Sequence, residues 1–489
     1  MAPHFLIRHP GKKIDSVITH PKIRDHLVRY LTPTILTICI RVCKGWQKSF
    51  TPNLWREFRL ESYRHPGIQT IILHAPFVHT LICNIMPFQD VIVKSDTLVF
   101  PHLSVLTFED NYACHLENDD LEPFMKKHGH TLKRIYIGQL YNDDQMEFEW
   151  MTHCKALESV YLGGRAMQYE KYWRLCVKAW RYSRLKELEF HDVHFPADDL
   201  KPWKDEQEKA DFLKGPMMSI RRFSLRKIYQ LKISGCTEFL KLCPDLRHIC
   251  LLNGSSSTDR TALQEFLDCL KGNQWPHLTS LRLDLHWGLD QIIEARAEAD
   301  LTELDLEDSG FDKDIWNALQ RSPRLVATLE TLNLDNCRYV TSNMIHKMLA
   351  TLPNIKTFSA PVMHDGDIYE GIDSHRWVCL GLKSFKVTIR VYSGPEGHAA
   401  FHRKLGLLTN LEKLWTDNHV GDHNGLCYRL DVGLDALKGL AHLKYVDFAK
   451  PSSLSNADVS WMATHWRRLE SAPRPVIGSY NKKRWTLPL

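Results

Sequence analysis

The stretch Leu103-Ser-Val-Leu106-Thr-Phe108-Glu-Asp-Asn111 has apolar residues at its first, fourth and sixth positions and an asparagine at its ninth. Leu106 and Phe108 are separated by one residue, which is the period of a β-strand that buries one face. The same phrase recurs along most of the chain. Close copies begin at Leu185, Ile228, Leu301 and Leu329. Looser copies begin at Ile68, Leu132, Leu157, Ile220, Leu246, Leu278, Ile355, Leu382, Leu411 and Leu443.

The spacing of these copies predicts a repeat architecture. Neighbouring copies lie about 26–29 residues apart, which is the spacing of leucine-rich repeats. One unit is too small to bury its own apolar face, so neighbouring units must stack into a solenoid. Between the strand-like phrases, helical spacing of apolar residues is found in residues 119–128, 262–270, 313–320 and 342–352. We therefore expect an α/β fold, a leucine-rich-repeat solenoid with a curved parallel sheet on its concave side and helices on its convex side.

The composition excludes several classes of protein. The chain has 489 residues, a formal net charge of +5, 44% hydrophobic residues and 25% charged residues, which are ordinary values for a folded soluble protein. This net charge is too small to predict binding to nucleic acid or to a membrane surface. The first residues lack the apolar run of a signal peptide, and no apolar run is long enough to span a bilayer. The 13 cysteines contain no Cys-x-x-Cys pair, which favours buried reduced thiols in a cytoplasmic or nuclear protein.

Motifs for catalysis are absent from the sequence. It contains no Gly-x-x-x-x-Gly-Lys-Ser/Thr, no His-Glu-x-x-His and no Gly-x-Ser-x-Gly. The pairs Asp119-Asp120, Asp143-Asp144 and Asp198-Asp199 are better explained as helix caps than as acid–base catalysts. The segment His364-Asp365-Gly-Asp367 has oxygen ligands for a cation, but a loop of this composition is more often simply solvated. We therefore expect no catalytic residues, no metal site, no cofactor and no enzymatic activity.

Residues 17–60 do not follow the repeat. They form three short apolar segments, separated by Thr32-Pro33 and by Gly45, and Pro33 suits the first turn of a helix because its missing N–H is not needed there. A helical module of roughly forty residues buries little surface and needs a neighbour or a partner. The predicted organisation is a flexible N-terminus (1–16), a helical module (17–60), the repeats (61–455), a C-terminal capping helix (456–470) and a tail (471–489).

The helical module resembles an F-box. The resemblance is carried by Val42-Cys43-Lys44-Gly-Trp46, by Leu54-Trp55, and by the spaced prolines and apolar residues before them. An F-box ahead of leucine-rich repeats is similar to the F-box/leucine-rich-repeat family, the substrate receptors of SCF-type cullin–RING ubiquitin ligases. The closing pattern from Leu434 to Leu469 is similar to the ends of such proteins from early-diverging filamentous fungi. The family commonly opens its box with Leu-Pro-x-Glu, where this chain has Thr19-His20-Pro21-Lys22.

The resemblance implies a receptor without chemistry of its own. Its box would bind a Skp-type adaptor, and through it a cullin, while the concave face of the repeats would bind the protein to be ubiquitinated. It also implies a monomer outside the complex that binds neither nucleic acid nor membrane. Adaptor contact is expected at Pro21, Ile23, Leu27, Leu31, Pro33 and Leu36, with Trp46 and Trp55 holding the module together. Two alternatives stay open: these apolar residues form only the core of the module, or the chain is a repeat scaffold without a ligase role.

The residues that flank the apolar positions of each phrase are expected to point out of the concave face. Along the chain, Arg134, Tyr136 and Tyr161 come before two charged groups of such residues. Lys386, Lys413 and Trp415 come after them. Like charges on adjacent strands destabilise a sheet, so a ladder of acids is easier to explain if a basic partner neutralises it. We therefore expect a bipolar surface that binds the substrate, although ordinary polar decoration of an exposed sheet is the alternative. Its basic part is Arg222, Arg226 and Lys232. Its acidic part is Asp284, Glu303, Asp305, Glu307 and Asp335.

Overall fold

The computed structural model describes residues 20–28, 30–61, 65–84, 87–109, 118–140, 148–164, 177, 180–181, 183–192, 207, 218–226, 233–252, 260–285, 288–366, 376–416, 424–447 and 454–470. The chain divides into two compact units. The first comprises Met1–Ile220 with Lys227–Leu231, and the second comprises Arg221–Arg226 with Lys232–Leu489.

The first unit begins with three helices, α1 (Pro21–Val28), α2 (Pro33–Cys39) and α3 (Lys44–Leu54). Pro33 occupies the first turn of α2. The hydroxyl of Thr32 accepts the N–H of Ile35 at 3.4 Å and so caps the N-terminus of α2. Helices α2 and α3 pack together through buried Leu36 and Phe50.

The rest of the first unit is a sheet of parallel strands covered by short helices. Its strands are β1 (Glu57–Leu60), β2 (Thr80–Cys83), β3 (Val105–Phe108), β4 (Arg134–Leu140), β5 (Ser159–Gly164) and β6 (Glu187–His191), and each pairs with the next. One row of side chains lies in register across all six strands and is buried: Phe58, Leu81, Leu106, Ile135, Val160 and Leu188. The helices whose bounds the structure describes in this unit include α4 (Ile68–His74) and α5 (Asn118–His128), with 3-10 turns at Ala75–Phe77 and Phe148–His153 and a π-helix at Phe88–Val93.

The second unit repeats the same plan. Its strands are β7 (Arg222–Arg226), β8 (His248–Leu252), β9 (Ser280–Leu283), β10 (Glu303–Asp305), β11 (Thr331–Asn333), β12 (Thr357–His364), β13 (Ser384–Arg390), β14 (Lys413–Trp415) and β15 (Tyr445–Asp447). Each pairs in parallel with the next, which places in one buried row Phe223, Ile249, Leu281, Leu304, Leu332, Phe358, Phe385, Leu414 and Val446. The helices are α6 (Ile233–Leu240), α7 (Arg260–Lys271), α8 (Leu289–Ala295), α9 (Lys313–Gln320), α10 (Pro323–Thr328), α11 (Ser342–Thr351), α12 (Gly394–Gly406) and α13 (Asn456–His465), with 3-10 turns at Leu430–Val432 and Leu434–Gly439.

Backbone hydrogen bonds join the start of each strand to the next in a repeated pattern. The carbonyl oxygen of Glu330, for example, accepts the N–H of Lys356 at 2.7 Å and the N–H of Thr357 at 3.0 Å. A carbonyl oxygen has two lone pairs, so one oxygen can hold two donors of the following repeat. In the second unit the accepting residues are Arg221, Arg247, Thr279, Thr302, Glu330, Lys356, Lys383 and Glu412.

The predicted α/β repeat fold is confirmed, with two errors of phase. The copy beginning at Ile68 is not a strand, because Ile68, Ile71 and Leu73 lie in α4, and the strand that follows is β2 (Thr80–Cys83). The copy beginning at Ile228 is not a strand, because Ile233 and Cys236 lie in α6. Strand β7 instead follows from the looser copy at Ile220, whose buried residues Ile220, Phe223 and Leu225 already supply the three apolar positions of this repeat. The helices predicted near residues 119–128, 262–270, 313–320 and 342–352 are confirmed as α5, α7, α9 and α11. In the described part of the chain, no helix combines the length and apolarity needed to cross a membrane.

Helix α13 packs its C-terminal end against the last repeat. Ser455 and Asp458 form a capping box at its start, and Met462 and Trp466 are buried. The indole Nε1 of Trp466 donates to the carbonyl oxygen of Leu437 at 3.2 Å. The helix ends at His465, five residues before the end of the predicted capping helix (456–470), and Trp466 is its C-cap.

We expect Trp466→Ala to lower the free energy of unfolding of the second unit by about 3–5 kcal/mol, because it removes a large buried side chain and leaves a cavity. Urea denaturation followed by circular dichroism measures this loss. Arg467→Ala is the matched control, since Arg467 is the exposed neighbour and should change stability by less than about 0.5 kcal/mol. Equal stability of the two variants would show that α13 does not seal the repeats.

Candidate interaction surfaces

The side of each sheet opposite to its buried row is referred to as the open face. Strand register places one row of open-face residues in the second unit side by side, at the spacing of neighbouring strands, roughly 4.8 Å. The row follows directly from the alternation of side chains along each strand. Its members are Ser224, Cys250, Arg282, Asp305, Asn333, Ser359, Lys386, Trp415 and Asp447.

Arg282 joins two carboxylates of the next repeat. Its Nε lies 3.0 Å from Oδ2 of Asp305, and its Nη2 donates to Oε2 of Glu307 at 2.6 Å. Asp305 is only 6% exposed, and its Oδ1 also accepts from the side-chain amide of Asn333 at 2.9 Å. Burial raises the pKa of Asp305, although the Arg282 guanidinium and the Asn333 hydrogen bond oppose this effect. Asp305 is thus a desolvated carboxylate whose charge depends on Arg282.

Lys386 provides a second cation on this face. The ammonium group of Lys386 pairs with Asp335, and the hydroxyl of Ser359 donates to Oδ1 of the same carboxylate. The open face of the second unit therefore neutralises much of its acidic charge with its own side chains.

This arrangement corrects the prediction of an acidic ladder that needs a basic partner. Arg282 and Lys386 supply internal cations for Asp305, Glu307 and Asp335. Sequence reasoning passed over Arg282, although it stands between Leu281 and Leu283 at an outward position. The remaining acids are partly buried: Glu303 faces Ser280 and Thr331 across the strands, and Asp284 follows β9.

The structure describes two of the three residues of the predicted basic surface. Arg222 and Arg226 alternate with the buried residues Phe223 and Leu225 on β7, so both lie on the open face. Lys232 lies outside the described residues. Substrate binding by any of these residues stays a prediction.

The open face of the first unit carries an aromatic stack. The rings of Tyr136 and Tyr161 lie on neighbouring strands with centroids 4.0 Å apart and an interplanar angle of 11°. His191 continues the stack at 6.4 Å from Tyr161. Gly163 lies beside the stack, and a Cβ at this position would lie 2.1 Å from the carbonyl oxygen of Gly138, so only glycine fits the close approach of β4 and β5.

The helical module exposes most, but not all, of the predicted adaptor residues. Ile23, Leu27 and Pro33 are exposed, and Leu31 is half-buried, whereas the side chain of Pro21 lies outside the described set. Leu36 is only 5% exposed. This burial argues against contact between Leu36 and an adaptor, because its side chain already lies in the small core of the module.

Four further apolar side chains of the module are exposed and were missed as contact residues. Ile35, Ile38 and Val42 follow the spacing of one helical face, and Tyr30 continues the face of Ile23 and Leu27. This spacing was available in the sequence. The sequence alone did not show which of two apolar faces of α2 is buried, since both carry aliphatic residues. The exposed apolar set of the module is Ile23, Leu27, Tyr30, Ile35, Ile38 and Val42.

The buried cysteines act as packing residues. The thiol of Cys337 donates to the carbonyl oxygen of Leu306 at 2.9 Å, and burial raises its pKa to about 12. Such a thiol is protonated at neutral pH and is a poor nucleophile. The described residues contain no group of three or more His, Cys, Asp or Glu side chains arranged to hold a metal ion.

Comparison with known proteins finds similarity only to solved structures. No protein-family model matches the chain, and no curated protein sequence matches it. Among solved structures, the chain is similar to the crystal structure of a TLR13–ssRNA13 complex, with 13% sequence identity and a TM-score of 0.37. The likeness covers 86% of this chain and 58% of that chain, so this chain spans less than two thirds of that protein.

We expect Arg282→Met to destabilise the second unit by on the order of 3 kcal/mol at pH 7, because it leaves Asp305 charged, desolvated and without its ion pair. The pKa of Asp305 is already raised in the folded state and should rise further. Between about 3.9, the pKa of an unfolded aspartate, and the raised folded value, the folded state binds more protons. Stability should therefore fall as pH rises through this window, and urea denaturation at pH 5 and pH 7 should show the larger loss at pH 7.

A control variant and a double variant test whether the effect depends on the charge of Asp305. Arg222→Met removes an exposed arginine from the same face and should change stability by less than about 0.5 kcal/mol. Adding Asp305→Asn to Arg282→Met should recover much of the loss, since the unpaired charge is then absent. A loss that is equal at both pH values, or that the second substitution does not reduce, would contradict a charge-dependent role for Arg282.

Proposed function

We propose that this chain is the non-catalytic substrate-recognition subunit of an SCF-type E3 ubiquitin ligase. Its leucine-rich-repeat-like fold is that of a protein-interaction scaffold, since stacked repeats present long rows of side chains to a partner. The finer assignment is supported by one observation above others: the exposed apolar set of the helical module lies in the segment that resembles an F-box.

Part of the exposed apolar set has the spacing of a single helical face. Ile35, Ile38 and Val42 are spaced as one face of α2 and the turn that follows it, and Ile38 and Val42 are 61% and 58% exposed. Burying a side chain of this size against a partner is worth roughly 1.5–3 kcal/mol before the cost of association. A contiguous apolar face of this kind on a small module marks a site for a protein partner.

The proposal assigns separate tasks to the two kinds of surface. The module holds a Skp-type adaptor and, through it, a cullin, and the open face of the repeats holds the protein to be ubiquitinated. The chain itself performs no chemistry, because a ubiquitin-loaded enzyme elsewhere in the complex acts on a lysine held close to it. Such a subunit acts in the cytoplasm or nucleus, is a monomer outside the complex, and needs neither cofactor, nucleic acid nor membrane.

A second candidate function is a repeat scaffold without a ligase role. The observation that favours it is the packing of the module onto the first repeat. The indole of Trp55 stacks on the ring of His74 at 4.4 Å and lies 5.4 Å from the ring of Phe58. In this interpretation the module only covers the end of the sheet, and its apolar face binds no adaptor.

We expect the paired change Ile38→Asp and Val42→Asp to weaken binding to a Skp-type adaptor while the chain stays folded, because both side chains face water in the free chain. Loss of central apolar anchors costs about 2 kcal/mol or more, roughly thirtyfold in affinity. Co-purification and titration calorimetry with purified adaptor measure the effect, and thermal melts check the fold.

Leu73→Asp is the matched control, since Leu73 is 69% exposed and lies on α4, outside the module. It should leave adaptor binding unchanged. Leu36→Asp should instead unfold the module, because Leu36 is buried. Normal adaptor binding by the Ile38/Val42 variant, or no binding by the unaltered chain, would leave the scaffold without a ligase role as the better assignment.

A further inference from the structure

A groove lies between helices α9 and α11 of the second unit. It has a volume of about 890 Å³, which is within the range of sites for small ligands and short peptides. Its floor is apolar, because Trp316 of α9 and Met344 of α11 line it and are largely buried. Its walls carry the amides of Asn317, Gln320 and Asn343, which can donate to and accept from a peptide main chain.

The groove is lined by three cations that form no ion pair with the described residues. Lys313, Lys347 and Arg376 line it, and within the described part of the chain the side chain of none of the three has a hydrogen bond or an ion pair. Asp312 is the one carboxylate among the lining residues that the structure describes. Its Oδ1 already accepts the N–H groups of Asp314 at 2.9 Å and Ile315 at 3.1 Å, as the N-cap of α9.

The open face provides the contrast. There, Arg282 and Lys386 are paired with carboxylates of the chain. Three unpaired cations around an apolar floor produce a positive potential that favours an anionic partner.

Tyr339 stands at the edge of this groove in a strained conformation. Its φ is +71°, in the left-handed region that a bulky side chain rarely adopts, and its side chain is 71% exposed. Neither burial nor packing explains why a tyrosine, and not a glycine or asparagine, occupies this position. Strain that is kept at an exposed aromatic residue is typical of a residue that contacts a ligand.

We propose that the α9–α11 groove binds an extended acidic segment of a partner protein. Its acidic side chains pair with Lys313, Lys347 and Arg376, its main chain meets the wall amides, and an apolar side chain lies on Trp316 and Met344. The apolar floor and the amide walls favour a peptide over a nucleic acid, which would need a longer basic track and several aromatic stacking faces. This site is separate from the open face and from the helical module, so it goes beyond the proposed function.

The test uses the full chain and a fluorescein-labelled octapeptide of alternating glutamate and leucine, with binding measured by fluorescence polarisation. The triple change Lys313→Glu, Lys347→Glu and Arg376→Glu should weaken binding about tenfold or more, a loss of about 1.4 kcal/mol. The peptide affinity of the unaltered chain should also fall as salt rises. If the triple variant melts abnormally, Arg376→Gln, at an exposed position, provides the same test with a smaller loss.

The matched control reverses three exposed cations of the same unit, Lys271→Glu, Arg403→Glu and Lys438→Glu. It changes the net charge equally and should bind the peptide within about twofold of the unaltered chain. Equal weakening by both triple variants would overturn the site, because binding would then reflect net charge alone. Tighter binding of single-stranded RNA than of the peptide would overturn the assignment of an acidic protein segment.

Tyr339→Gly separates a binding role from a structural one. Glycine adopts positive φ without strain, so this variant should melt at the same or a higher temperature and yet bind the peptide more weakly. Unchanged peptide affinity would exclude Tyr339 from the site. The Ile38→Asp and Val42→Asp variant should bind the peptide normally, so failure of the adaptor proposal and failure of this proposal give different results.

Discussion

The fold depends on a backbone hydrogen-bond pattern that recurs from repeat to repeat. In each unit, the carbonyl before a strand accepts two N–H groups from the start of the next strand. This shared acceptor sets the register of every parallel pair, and a slip of one residue would turn the buried row outward. Leu281, Leu304 and Leu332 then lie side by side in the core of the second unit. The outward residues Arg282, Asp305 and Asn333 are brought together by the same register.

Strand register places equivalent positions of neighbouring repeats side by side. The charges at these positions therefore affect the stability of the sheet. Like charges at neighbouring positions destabilise a sheet, and opposite charges stabilise it. The chain alternates sign at several such places: Lys356 pairs with Glu330 at 2.6 Å, and Lys444 pairs with Glu412 at 2.6 Å. These exposed pairs contribute little to stability individually, on the order of 0–1 kcal/mol, but they prevent repulsion along the stack. The buried Asp305 differs, since its desolvated charge makes Arg282 necessary.

The surfaces left without internal partners are those that suit other molecules. The helical module uses Leu36 and Phe50 for its small core and leaves Ile38 and Val42 in water. Among the described residues, the lysines and arginine of the α9–α11 groove have no ion pair, whereas Arg282 and Lys386 on the open face of the same unit pair with carboxylates of the chain. A repeat protein can separate such sites because each repeat contacts mainly its neighbours, so a change in one surface need not disturb another.

The sequence by itself determined the phase of most repeats, the helices between strands and the start of α2 at Pro33, because these depend on local periodicity and on the geometry of single residues. It did not determine which apolar face of α2 is buried, or that the Ile228 phrase leads into a helix, since in both places two apolar patterns overlap. Only the tertiary structure decided that Arg282 neutralises Asp305 and Glu307, residues more than twenty positions later. Periodicity shows which face a side chain occupies, whereas its neighbour on that face depends on loop length and strand register. The pairing of charges, the buried state of Leu36 and the groove beside Tyr339 are therefore properties of the folded chain.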